Sequence, residues 1–82
     1  MKERKRPPMV LVLWIDSASH PGWIATGEPL PDPARCESAG FLVQRDKKQI
    51  VLAQSRGVNE EIRPWGDLIT IPMVCVRSVK RV

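Results

Sequence analysis

Apolar residues in this chain fall into short runs separated by polar stretches that carry proline and glycine. Met9 to Ile15 is an unbroken apolar run of seven residues, rich in β-branched and aromatic side chains and bounded by Pro8 and by Asp16-Ser17. At that length and composition it predicts a strand rather than a buried helix. From Asp16 to about Cys36 the chain is punctuated by Pro21, Gly22, Gly27, Pro29, Pro31 and Pro33, which leaves only Trp23-Ile24-Ala25 as a short strand or anchor. The pattern predicts a long, proline-stiffened loop. Connections of that length without secondary structure are uncommon in compact domains and usually functional, so this loop is the first place to look for a site.

Two further apolar stretches, Gly40 to Arg45 and Gln49 to Gln54, flank Asp46-Lys47-Lys48 and read as a β-hairpin. A second polar loop, Ser55 to Asp67, holds Gly57, Asn59, Pro64 and Gly66 and carries Trp65. Leu68 to Ile71 then predicts a strand stopped by Pro72. Beyond it, Val76, Val79 and Val82 are spaced by three while Val74 and Val76 alternate, which predicts one helical turn leading into a final strand. There is no internal repeat. Four or five short strands, joined by one hairpin and two long loops, need to bury a core and hide their edges. The expected fold is therefore all-β, a five-stranded SH3-like or Sm-like barrel over residues 9–82, preceded by a flexible arm over residues 1–8.

Charge changes the picture of the ends. The 82 residues carry a net charge of +4, distributed as +3 over residues 1–6, −2 over residues 7–76 and +3 over residues 77–82. The arm bears Lys2, Arg4, Lys5 and Arg6 ahead of Pro7-Pro8, and the last strand ends with Lys80-Arg81. Clusters of this kind gain affinity for phosphate by counterion release without needing a shaped site. Nucleic acid is accordingly a candidate partner, with solubility as the plain alternative. The longest apolar run is far short of the roughly 20 residues of a spanning helix, so no membrane partner is expected. Lys2 to Arg6 followed by the apolar run imitates a secretory signal, but Asp16 ends that run and cleavage nearby would remove the best strand. The expected location is cytoplasmic, with Cys36 and Cys75 as reduced, buried thiols.

Candidate chemistry is sparse. Asp16, Ser17, Ser19 and His20 lie close together and Cys36 follows, yet nucleophile–base sets are recognised by geometry, and five loop residues in sequence are better read as turn-forming groups. An enzyme using Cys36 or His20 is a distant alternative. Cys36, Cys75 and His20 include no close cysteine pair and make too few zinc ligands, and no glycine-rich phosphate loop is present, so neither metal nor cofactor is expected. The three tryptophans, in a chain with one Phe and no Tyr, supply nearly all the aromatic surface. Trp14 belongs in the core. Trp23 and Trp65 lie beside glycines in loops, where an indole acts as a loop anchor or a contact residue. Arg63 next to Trp65, and Arg45, Lys47 and Lys48 at the hairpin tip, would add the stacking and phosphate neutralisation that small barrels use on single strands.

Five segments together, Leu13-Trp14-Ile15-Asp16-Ser17, Gly22-Trp23, Cys36 to Val43, Ile50 to Ala53 and Ile69-Thr70-Ile71-Pro72, resemble a group of small, mostly uncharacterised proteins encoded by tailed bacteriophages and prophages. The resemblance implies a phage or prophage origin and a β-rich fold, and it brings no catalytic residue with it. The expectation is a non-enzymatic binding or adaptor module. Its loops around Trp23 and Trp65 would contact a protein partner or a second copy of the chain, with nucleic-acid binding through the basic ends as the alternative.

Overall fold

The computed structural model describes residues 6–82. Five strands, β1 (Met9–Asp16), β2 (Ala34–Arg45), β3 (Gln49–Arg56), β4 (Trp65–Pro72) and β5 (Val76–Arg81), form one antiparallel sheet in the order β4-β3-β2-β1-β5. A single 3-10 turn, Met73–Cys75, joins β4 to β5. The predicted hairpin, the stop at Pro72 and the turn before the last strand are all present.

The core is made by alternation. Val10 and Val12 of β1, Ile50 and Leu52 of β3 and Ile71 of β4 form the buried cluster, with Trp14, Leu42, Met73, Cys75, Val76 and Val79 packed around it. Since β3 and β4 lie two and three strands from β1 in the sheet, the sheet must curl for these side chains to meet. The curl is localised in β2. Residues 34–41 pair with β1, whereas residues 41–45 pair with β3, so the strand changes partner at Gly40-Phe41. Glycine is required there, because a Cβ on Gly40 would lie 2.6 Å from the carbonyl oxygen of Ala53.

The expected closed barrel is corrected by this topology. β4 and β5 are the two edges of an open sheet and form no ladder with each other. The chain crosses between them in three residues, and the gap is filled by side chains of the turn and of β5 (Met73, Cys75, Val76 and Val79) rather than by backbone pairing. One contact pins the crossing, Met73 N–H donating to the carbonyl of Lys48 at 2.9 Å.

Two boundaries also move. β2 begins at Ala34 rather than Gly40, because Arg35, Glu37 and Ala39 alternate with Cys36, Ser38 and Gly40 opposite β1. The second loop shrinks to residues 57–64, since β3 runs to Arg56 and β4 starts at Trp65 opposite it.

Candidate functional site

β1 and β2 are joined by residues 17–33, and every residue from Asp16 to Arg35 is exposed. Positive φ angles at Gly22 (81°) and Gly27 (94°) shape the path, and Glu28 N–H donates to Ala25 C=O at 3.2 Å to close a turn. Within this loop Trp23 is 100% exposed and Leu30 74% exposed. Trp23 is thus not an anchor holding the loop to the domain. A fully solvated indole costs the free protein apolar hydration that a contact would recover.

Trp65 is placed differently. It is half-buried at the start of β4, opposite Arg56, on the strand at the far edge of the sheet from β1 and β5. The loop before it is tied to itself. Gly57 N–H donates to Pro64 C=O at 2.7 Å, and the Glu60 carboxylate accepts from the N–H groups of Ile62 and Arg63 at 2.9 and 3.4 Å. Arg63 is exposed beside it.

The antiparallel meander sorts the candidate residues between two ends. The β1–β2 loop with Trp23 and the β3–β4 loop with Arg63 and Trp65 leave the sheet at one end. The β2–β3 hairpin, the start of β1 and the finish of β5 share the other. Bonds from Leu42 N–H to Pro8 C=O at 2.8 Å and from Val82 N–H to Met9 C=O at 2.9 Å tie the start of β1 to the middle of β2 and to the finish of β5, while the hairpin is held to the 3-10 turn by the Met73 N–H bond to Lys48 C=O. Arg6, Arg45, Lys47, Lys48, Lys80 and Arg81 are all exposed there. Lys2, Arg4 and Lys5 lie outside the described residues. The β1–β2 loop is acidic by contrast, for residues 17–33 contain Glu28 and Asp32 and no Lys or Arg.

Asp46 sits among the cations at the hairpin tip and is engaged by it. Its carboxylate accepts from Lys48 N–H (2.8 Å), Gln49 N–H (2.9 Å) and the Gln44 side-chain amide (2.9 Å). The bond from Lys48 and, after it, those from Gln44 and Gln49 hold its pKa below the usual carboxylate value, and the three bonds fix the turn.

One feature was not legible in sequence. At the root of the Trp23 loop, where Leu13 faces Glu37 and Ile15 faces Arg35, an open hollow of 440 Å³ is lined by Leu13, Trp14, Ile15, Arg35, Cys36, Glu37 and Arg77. It depends on the β1–β2 register and on β5 being next to β1, which are pairings between segments distant in the chain. The only sequence signal for it is that β1 is apolar on both faces.

Chemistry-bearing clusters are lacking among the described residues. No three His, Cys, Asp or Glu side chains converge as metal ligands. Cys36 and Cys75 are free, half-buried thiols, Cys36 Sγ lying 3.8 Å from the carbonyl oxygen of Ala34. No helix among these residues is long and apolar enough to cross a membrane. No family model, no curated protein and no solved structure matches the chain.

Proposed function

We propose that the protein is a non-enzymatic binding or adaptor module whose contact element is the β1–β2 loop, with Trp23 as the residue that docks on a protein partner or a second copy. The observation that carries this reading is the complete exposure of Trp23 on a loop otherwise rich in proline. Prolines lower the entropy lost when a loop is immobilised, and tryptophan is enriched among residues that dominate interface energies. The resemblance to small proteins of tailed phages and prophages puts its action in the cytoplasm of a bacterial host. We read the strand order, with β1 between β2 and β5, as an opened variant of the SH3-like and Sm-like layout.

The test is site-specific photocrosslinking in bacterial cells making the full chain, with the photoreactive residue at position 23 and, as control, at Leu68, which is 55% exposed on the edge strand β4. A discrete product from position 23 and none from position 68 supports the reading. No product at 23, or equal products at both, refutes it.

A second reading, nucleic-acid binding, is favoured by the gathering of Arg6, Arg45, Lys47, Lys48, Lys80 and Arg81 at one end of the sheet. Titration of labelled single- and double-stranded DNA and of RNA at two salt concentrations separates it from the first. Binding through phosphates weakens steeply with salt and falls when Lys47 and Lys48 become Glu, while Trp23→Ala leaves it unchanged.

A further inference from the structure

Resting on the reading of Trp23 as the contact residue, we infer that its partner is a second copy of this chain, the Trp23 loop of each copy seating in the hollow at the root of the other copy's loop. Both halves of such a contact are present in one molecule. The loop is acidic, with Glu28 and Asp32 and no cation, and presents Trp23 at full exposure. The hollow is apolar in its floor, from Leu13 and Ile15, and is flanked by the exposed cations Arg35 and Arg77. An indole fits within 440 Å³ and fills it with the large apolar area that aromatic side chains supply. The exposed Glu37 carboxylate is an acceptor for the indole N–H. The guanidinium groups of Arg35 and Arg77 complement the loop's two carboxylates, and such complementarity fixes register and partner choice.

Symmetry makes the arrangement closed. Trp23 lies within the 17–33 connection and the hollow at its root, so two copies laid antiparallel can bring each Trp23 to the other's root, and one twofold axis relates both contacts. A head-to-tail pair would leave one loop unused at one end and one hollow unused at the other. The surface available is of the right size. The chain exposes 6905 Å², against roughly 5,000 Å² for a compact monomer of this mass. Its radius of gyration is 17.1 Å, where about 12 Å is usual for this length. The excess, about 1,900 Å² per chain, is more than the roughly 800 Å² that each partner gives to a standard interface.

Sedimentation equilibrium of the full chain tests the inference, at concentrations from about 1 to 100 μM. A dimer is expected. Trp23→Ala should raise its dissociation constant at least about thirty-fold, as loss of a dominant interface residue does. Reversing the loop charges (E28K with D32K) or the flanking charges (R35E with R77E) should each weaken the dimer at least about tenfold. Combining all four substitutions should restore it, since each reversed loop then meets a reversed hollow. These positions are exposed, and circular dichroism of every variant verifies that the sheet is retained. A wild-type chain that stays monomeric at the highest concentration overturns the second-copy inference and leaves the crosslinking test of Trp23 standing. A dimer indifferent to Trp23→Ala and to both charge reversals overturns the inference and counts against the Trp23 reading as well.

Discussion

Replacing Gly40 with alanine separates two physical accounts of β2. By local propensity the change should help, because Gly within a strand loses more chain entropy on folding than Ala and costs roughly 0.5–1 kcal/mol relative to it. Packing gives the opposite sign. The added methyl would sit 2.6 Å from the Ala53 carbonyl oxygen, 3.3 Å from its carbonyl carbon and 3.4 Å from Leu52 Cβ. Ala53 is fully buried and pairs with Phe41 on one side and Leu68 on the other, so its carbonyl cannot retreat without disturbing two ladders. Overpacking costs about 1–3 kcal/mol, and a clash with fixed backbone belongs at the upper end. After the propensity gain is subtracted, about 2 kcal/mol of destabilisation remains. Against a total of about 4–12 kcal/mol for a domain of this length, that is a large fraction, and it lowers Tm by roughly 10 °C. Urea unfolding followed by tryptophan fluorescence, with thermal melts by circular dichroism, measures it. Gly66→Ala is the control, since a Cβ there meets Ser55 Cβ at 3.4 Å and Ser55 carbonyl oxygen at 3.9 Å, both ordinary contacts. If Gly40→Ala is as stable as the wild type or more so, the close crossing of β2 and β3 is wrong, and with it the account of how the sheet curls.

Four other substitutions probe the same fold. Ser78 Oγ is buried without a hydrogen-bond partner, so Ser78→Ala should be neutral or stabilise by up to about 1 kcal/mol in urea unfolding. Trp14 Nε1–H donates to Ser38 Oγ at 3.0 Å across the β1–β2 ladder; Trp14→Phe and Ser38→Ala should each cost about 1 kcal/mol or more, with a coupling in the double-mutant cycle that non-interacting sites would lack. The Lys48 N–H, Gln44 amide and Gln49 N–H hold the folded-state pKa of Asp46 below the ordinary carboxylate value, so its contribution to stability is present above that ordinary value and is lost as pH falls through the folded pKa. Acid unfolding curves should therefore decline more steeply below about pH 4 for the wild type than for Asp46→Asn, which retains an acceptor oxygen but no titration.

Local patterns and long-range pairings were unequally legible. Met9 to Ile15, the hairpin around Asp46 and the strand stopped at Pro72 could be read from sequence, because each is set by a run of apolar residues and an adjacent breaker. The start of β2 at Ala34 could not, since Arg35, Cys36, Glu37 and Ser38 have no apolar alternation and become a strand only because β1 supplies its free edge. Closure failed for a similar reason. Hiding edges is a global requirement that a barrel satisfies by hydrogen bonds, whereas here the filling of the gap falls to Met73, Cys75, Val76 and Val79, whose spacing says nothing about which strands are adjacent. The exposure of Trp23 was likewise open in sequence, because a glycine-flanked indole serves equally as an anchor or a contact until the surroundings of the loop are known.

The separation of charge from aromatic surface follows from connectivity alone. In an antiparallel meander every odd turn leaves one end of the sheet and every even turn the other, so β1–β2 and β3–β4 connections share an end while the β2–β3 hairpin joins the start of β1. Because β5 runs antiparallel to β1, Lys80 and Arg81 finish beside the start of β1. Residues separated by most of the sequence thus become one basic surface without any of them being selected for mutual contact. The same parity sends the β1–β2 loop, cation-free over residues 17–33, to the opposite end, where Arg35 and Arg77 stand at its root.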